Sequence, residues 1–460
     1  MSVRRSASCF VPAACVVWSL ACGPVGPNYM RPPVITPDAF RFDDVARAES
    51  FADLPWWQVF DDPALQALIR EAVENNLDLR VAAARVEEAR AQAGIVGSFL
   101  YPQIDGTASY GGQQNSSGDG VRHGGLYALR LSWEVDLFGR IRREHEAALA
   151  QLLATEDGRR GVIVTLVGDV ATTYFTLREL DWEVAIARRM LRSNDETVAY
   201  FQNRLEGGVS NRLEVDQVRA NRAQTAASIP DFEREIAVAE NALSLLLGRA
   251  PGAIVRQESP PAPAAPAIPP GLPSSLLERR PDVMQAEQLL VAANADVGAA
   301  KALFFPAVGL SGLAGGISGD LLSLLGGAGA VWSASADLLQ PIYNAGRNKR
   351  NLEAARARFD GAVASYQKSA LNAYREVANA LITIQKLTAV RTERQTGVDA
   401  WQDATTLARD RYETGVATSL EILIADQQLF QQQVLLVQAF GAEYRARADL
   451  YRALGGGWRP

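Results

Sequence analysis

Arg411-Tyr412-Glu413-Thr414-Gly415-Val416, with Leu420-Glu421 just beyond, decides how this chain folds. The stretch interrupts two very long helical patterns. Much of it recurs 207 positions earlier (411 minus 204) as Arg204-Leu205-Glu206-Gly207-Gly208-Val209, followed by Leu213-Glu214. A helical hairpin is thus written twice, and the rest of the chain reads as whatever places the two turns side by side. Gly207, Gly208 and Gly415 are the turn glycines; Gly208 and Gly415 are expected at positive φ.

Outward from the turns, no Pro and no turn cluster interrupts residues 139–205. A helix of that span is roughly 100 Å long. No compact globule buries such a helix, whereas a coiled coil or a barrel of helices does. The return helix is expected over about 211–248, with a kink at Pro230 or a break near Ile229 and Gly248 as its cap. The second half repeats the plan with helices over about 346–411 and 418–454. Gly346-Arg347 pairs with Gly139-Arg140, Val377-Ala378 with Val170-Ala171, and Leu454-Gly455 with Leu247-Gly248, each at the same offset of 207. A constant offset means two helix pairs matched in length. The long second-half helix carries a stripe stepping by three or four: Leu352, Ala355, Phe359, Val363, Tyr366, Ala370, Tyr374, Val377, Leu381 and Ile384. Such a seam is coiled-coil-like.

Ahead of each long helix the period drops to two. Ile104, Gly106, Ala108 and Tyr110 alternate with Gln103, Asp105, Thr107 and Ser109. Tyr127, Leu129, Leu131, Trp133 and Val135 share one face, opposite Ala128, Arg130, Ser132 and Glu134. Strands are therefore expected over about 103–112 and 126–137, and again over about 307–314 and 330–339, each pair flanking a Gly-rich loop in which His123 lies exposed. An apolar face of this kind meets a second sheet in a soluble sandwich or lipid in a membrane, where Tyr127 and Trp133 would form an aromatic girdle. Four strands cannot close a membrane barrel. Two copies would give eight strands with a plugged interior; three would give twelve and a lumen. The expected fold is mainly α with a membrane β-barrel portion. It has a first β-β-α-α repeat over 64–258, a Pro/Ala-rich connector over 259–273 and a second repeat over 274–460.

Composition excludes several classes. The net charge of -6 and the lack of a long basic run give no reason to expect nucleic acid binding. His123 and His145 are the only histidines, and Cys9, Cys15 and Cys22 all precede the body, so no cofactor or metal site is expected. A P-loop, a zinc motif and a nucleophile elbow are absent, so no enzyme is expected. Arg4-Arg5, an apolar run from Phe10 and Ser19-Leu20-Ala21-Cys22 read as an export signal over 1–21 with Cys22 as the lipidated residue. A Pro-rich strap over 22–63 follows, containing Trp56-Trp57, with Asp61-Asp62-Pro63 set to open a helix.

Several segments together carry a family resemblance. They are Gly26-Pro27-Asn28-Tyr29 with Arg31-Pro32; Ser132-Trp133-Glu134 with Asp136-Leu137-Phe138-Gly139-Arg140; Arg279-Arg280-Pro281-Asp282 with Ala286-Glu287; Phe304-Phe305-Pro306; Pro341-Ile342-Tyr343 with Gly346-Arg347; and Arg411-Tyr412 with Gly415-Val416. In this order, and with the duplication, the chain resembles TolC-like outer-membrane factors of the NodT-type lipoprotein branch. The resemblance implies a homotrimer with a twelve-stranded barrel in outer-membrane lipid and a periplasmic barrel of long helices. It implies a passive conduit for drugs or other small molecules, fed by an inner-membrane RND-type transporter through a periplasmic adaptor. Alternatives are the conduit of a type I protein secretion system and a structural periplasmic coiled-coil lipoprotein. Carried over by position, the periplasmic gate falls on Tyr412, Leu420, Glu421, Asp426 and Glu214. The sequence departs from the family where Ile424 stands at a usually acidic position; Asp426 lies two residues on, almost half a helical turn away.

Overall fold

The computed structural model describes residues 23–42, 62–114, 121–257, 271, 273–319 and 329–456. Cys22, the export signal, Trp56-Trp57, Asp61 and most of the connector lie outside the described residues. The described chain runs α1 Pro63–Asn75, α2 Leu77–Ser98, β1 Gln103–Gln114, β2 Val121–Val135, α3 Arg140–Glu206 and α4 Arg212–Leu246. After the connector come α5 Leu276–Arg279, α6 Pro281–Ala302, β3 Ala307–Ser318, β4 Gly329–Leu339, α7 Arg347–Glu413 and α8 Ser419–Ala453. The long helices α3 and α7 each have 67 residues, and their return helices α4 and α8 each have 35.

Local chemistry sets the element ends. Asp62 caps α1 by accepting from the Ala64 and Leu65 amides (2.9 and 3.3 Å), with Pro63 in the first turn, where its missing N–H costs nothing. Asn76 closes α1 through its amide to Ala72 O (2.8 Å) and opens α2 by accepting from the Leu79 amide (2.9 Å). All four long helical arms end alike. Gly208, Gly248, Gly415 and Gly455 have φ between +70° and +79°. Each donates to the carbonyl three residues back, and the next residue to the carbonyl five back, as in Gly208→Leu205 (3.0 Å) and Val209→Arg204 (2.9 Å). These closures satisfy the orphan carbonyls of the last turn. Pro230 does not break α4, which runs through it unbroken. One lost backbone bond is small beside the packing of a 35-residue helix whose Val215, Val218, Thr225 and Leu243 are buried on either side of it.

The chain divides into two compact units. One holds the strands, the adjoining parts of α2, α3, α6 and α7, and the strap up to Pro33. Its sheet is fully antiparallel in the order β1-β2-β3-β4. The strands are longer than the alternating cores. β1 and β2 pair through Gly111↔Gly124 and Gly112↔His123, so His123 belongs to a strand, where it stacks on Tyr110. β3 runs on through Gly315 and Gly316. Glycine here serves close approach: a Cβ on Gly315 would stand 1.9 Å from Tyr127 O. β2 stops at Val135 because the next residue, Asp136, turns to cap α3, accepting from the Ile141 and Arg142 amides (3.2 and 2.9 Å).

Directly paired residues share a face of the sheet. The register therefore builds one face from Ala108, Tyr127, Gly316 and Ala330, then Gly106, Leu129, Ala314 and Trp332, then Ile104, Leu131, Gly312 and Ala334. Every one of these is apolar or Tyr or Trp. The opposite face carries Gln103, Ser132, Ser311 and Ser335 in one row and Asp105, Arg130, Leu313 and Ser333 in the next. No second sheet covers the apolar face among the described residues, and Trp332 is 81% exposed.

The other unit is helical. Its largest core joins Leu65, Ile69 and Ala72 of α1 to Val167, Val170, Tyr174 and Leu177 of α3, Leu243 of α4, and Ala448 and Tyr451 of α8. The expected α7 stripe is buried here at Ala370, Tyr374 and Val377, and at Ala355 and Tyr366 in the strand-bearing unit. Arg280, in the turn before α6, grips Asp282 bidentately (2.9 and 2.7 Å), the Ala453 carbonyl (2.9 Å) and Glu376 (2.7 Å).

Candidate functional site

The two hairpin turns lie in one unit and share a core. Phe201 of α3, Val215 and Val218 of α4, Ala408 and Tyr412 of α7, and Ile422 and Ala425 of α8 are buried together there. Tyr412 packs on Phe201 with ring centroids 5.3 Å apart and meets Tyr200 edge-on at 6.4 Å. The Arg204 guanidinium lies over both rings, 5.2 Å from Tyr412 and 5.7 Å from Tyr200. Burial pushes the Tyr412 phenol up, and the Glu214 carboxylate adds to the shift. Tyr412 therefore stays neutral and acts as a wedge between the hairpins.

The acidic residues of the tips sit in different environments. Glu421 is half-exposed and pairs loosely with Arg411 (3.7 Å). Leu420 and Ile424 flank it on an exposed face of α8's first turns. Glu214 is partly buried beside Ser210, whose hydroxyl donates to it, and its own amide donates to the Asn211 cap (3.1 Å). Asp426 is not on the exposed face: it is 2% exposed. Arg409 of α7 reaches both of its oxygens (3.2 and 3.3 Å) and also donates to Ser193 of α3 (2.9 Å). Burial raises the Asp426 carboxyl, and Arg409 pulls it back. Asp426 thus ties α7 to α8 and, through Arg409, to the other hairpin. Clefts of about 170 and 420 Å³ border Arg409, the first lined by Thr197, Tyr200 and Tyr412, the second by Arg189, Thr405 and Gln433.

Of the residues expected at a gate, the structure places Leu420 and Glu421 on one exposed surface. It puts Tyr412 and Asp426 inside the contact between hairpins, and Glu214 at its margin. Arg409, Ser193 and Phe201 were not singled out from the sequence. Arg204 belongs to the repeated stretch, but its place over the two rings has no mark in the sequence. Among the described residues no three His, Cys, Asp or Glu side chains cluster so as to hold a metal ion.

The strap is fixed at a second place, within the strand-bearing unit. The Val25 amide donates to Phe138 O (3.0 Å), Arg143 donates to Asn28 Oδ1 (3.0 Å), and Asn294 donates to Pro27 O (3.0 Å). Arg31 grips Glu287 with two bonds (2.7 and 2.8 Å), and Tyr29 adds a third (3.0 Å). Glycine makes the approach possible. A Cβ on Gly139 would lie 2.4 Å from Pro24, and one on Gly26 2.4 Å from Gly298. Trp133 is anchored near the same end of the sheet by donating from Nε1 to Leu100 O (3.1 Å).

Comparison with known proteins agrees with this architecture. The cation efflux system protein CusC of Escherichia coli O6:H1 is 36% identical over 97% of this chain and 98% of its own length. The solvent efflux pump outer membrane protein SrpC of Pseudomonas putida is 39% identical over 87% of each chain. The open-state crystal structure of the MtrE outer membrane channel of Neisseria gonorrhoeae superposes with a TM-score of 0.86 at 31% identity, covering 95% of this chain and 99% of that one. The outer membrane efflux protein family matches residues 68–249 and 272–456, one segment in each repeat. The chain therefore belongs to the outer membrane efflux protein family, and it is an outer-membrane channel component of an efflux system, not an enzyme.

Proposed function

We propose that three copies of this chain close a twelve-stranded barrel in the outer membrane and continue it as a periplasmic tube of helices. The tube is a passive conduit for drugs or other small molecules, joined to a periplasmic adaptor and an inner-membrane RND-type transporter. The observation that carries this reading is the sheet. Among the described residues it has four strands of 11 to 15 residues, long enough for a tilted membrane strand, with an apolar face left uncovered and two open edges, β1 and β4. Pairing β4 of one copy with β1 of the next removes both edges and leaves the polar face around a lumen.

The helices support self-association independently. Leu371, Val390 and Val238 are exposed in the single chain. At the offset of 207 they correspond to Val164, Glu183 and Arg445, which are buried or half-buried within the chain. A neighbouring copy covers the exposed set by repeating the contact that α3 and α8 make internally. The relatives' names point to cations in one case and solvents in another, which fits a conduit that takes whatever its transporter delivers. Leu420, Glu421 and Glu214 then narrow the periplasmic end, backed by Tyr412 and Asp426. Cys22 carries the lipid: it stands two residues before Pro24, within about 7 Å of chain, and Pro24 is seated against Gly139 at the foot of the sheet. Planar-bilayer recording on purified protein tests the reading. We expect single-channel conductance that rises when Glu421 and Glu214 are neutralised together. Protein that never conducts, with or without those changes, overturns it.

A further inference from the structure

Besides Asp426, the contact between the hairpins encloses two further carboxylates, one buried and one largely so. α3 contributes Glu179 and Glu183, one turn apart, and α8 faces them with Gln438, Gly441 and Arg445. Aromatic contacts bracket the pair: Phe175 stacks on Tyr444 (5.0 Å) and Trp182 meets Phe440 edge-on (6.4 Å). Glu179 occupies the space a side chain at 441 would fill, since a Cβ there would lie 1.8 Å from its Oε2. Arg445 ion-pairs with Glu179 and also reaches Thr176.

Glu183 is placed differently. It is 2% exposed, and its carboxylate accepts from the neutral Gln438 Nε2 (2.8 Å). No cation pairs with it among the described residues. Beside it, Trp182 Nε1 is buried without an acceptor. The groups facing the site are Glu179 on the same helix, Arg445 on α8 and Glu235 on α4. Glu235 pairs with Arg234 beside it (3.1 Å), so the two α3 carboxylates face one guanidinium, and Glu179 already holds it. Helix packing does not demand an acid here, because the duplicated position, 183 plus 207, is Val390.

We propose that Glu183 is a proton-operated latch between the two hairpins: neutral, it pairs with Gln438 and holds α3 against α8; ionised, it loosens that contact. As a regulator of the conduit the latch rests on the function proposed above. The cost of the charge is the burial penalty on an acid without a counter-ion. Burial pushes the Glu183 carboxyl up to about 7, with Glu179 and Glu235 adding to the shift and the bond from Gln438 and the charge of Arg445 opposing it. The sign follows from linkage. A carboxyl raised in the closed contact holds a proton that the open contact releases, so closure is strongest at low pH and weakens as pH rises through about 7.

Hydrogen–deuterium exchange on the full chain in detergent, at pH 6 and pH 8 and corrected for intrinsic rates, tests this without any conductance measurement. Failure of the latch is therefore distinguishable from failure of the conduit. Protection over 176–186 and 436–446 is expected to fall about tenfold from pH 6 to pH 8. Glu183→Gln keeps the protected state at both values. Glu183→Val, the residue the repeat accepts at the equivalent place, does the same and covers the case in which the amide fails to fold. Gln438→Leu moves the midpoint upward by removing a donor to the carboxylate. Equal pH dependence in the wild type and in either Glu183 variant overturns the proposal, and so does an unmoved midpoint in Gln438→Leu.

Discussion

The two hairpin tips have the same backbone and different chemistry. Gly208 and Gly415 have φ of +72° and +79° and donate to Leu205 O and Tyr412 O at 3.0 Å, and the following Val closes on Arg204 O or Arg411 O at 2.9 Å. Beyond the glycine the tips part. The first is capped by the Asn211 side chain, whereas Thr418 makes no side-chain cap bond. Leu205 and Tyr412 hold the same repeat position, and so do Gln202 and Arg409. Only the second tip has the ring that wedges between the hairpins and the guanidinium that reaches Asp426 and Ser193. Duplication has preserved the turn as a backbone device while the side chains of the two tips have diverged from each other. That divergence is where we place the control of the periplasmic end.

Substitutions in matched pairs can break or sharpen this comparison. The largest difference is expected at the wedge. Tyr412→Ala should cost about 3 kcal/mol in thermal or denaturant unfolding, and Leu205→Ala, only partly buried, about 1 kcal/mol. Equal losses would mean the tips are energetically alike. Next comes the buried ion pair. Arg409→Ala leaves Asp426 without its partner, which should cost about 2 kcal/mol after discounting for the partial exposure of Arg409. Gln202→Ala at the matched position should change stability by less than about 0.5 kcal/mol. The Arg409→Ala loss should shrink as pH falls, because Asp426, already raised, then protonates more readily.

The turn glycines should instead behave as twins. Gly208→Ala and Gly415→Ala meet open space, so each carries only the left-handed backbone penalty of about 1 kcal/mol. Differential scanning of the two variants should give shifts that agree within error; a large difference would refute the shared backbone. The smallest contrast is at the caps: Asn211→Ala should cost about 1 kcal/mol and Thr418→Ala close to nothing, as amide-exchange protection of the first turns of α4 and α8 would report.

How far these features could be read from the sequence depends on their range. The turns were legible because the offset of 207 repeats the whole capped hairpin, and a Gly that must adopt positive φ leaves a local mark. The sheet faces were legible because alternation is local too. Strand ends were not. Gly124, Gly315 and Gly316 look like loop residues by propensity, and only the partner strand shows that they pair or make room for a neighbouring carbonyl. Pro230 shows the opposite case: of the kink or break that its local signal allowed, the break is overridden by the packing of a long helix. The tip was half legible. Glu421 and Leu420 follow the turn, so their place at the tip could be read from position alone. The Arg409–Asp426–Ser193 tie joins residues up to 233 positions apart, and no spacing rule reaches it. The strap motif Gly26-Pro27-Asn28-Tyr29 likewise acquires a reason only when Gly298 and Glu287 are set beside it.

The central claim is that the wall of the conduit is completed by further copies of the same chain. Native mass spectrometry of the detergent-solubilised protein tests it most directly. A species of three chains, surviving at concentrations where nonspecific association is lost, is the predicted result. A monodisperse single chain would contradict the account, because its sheet would then keep two open edges and an uncovered apolar face.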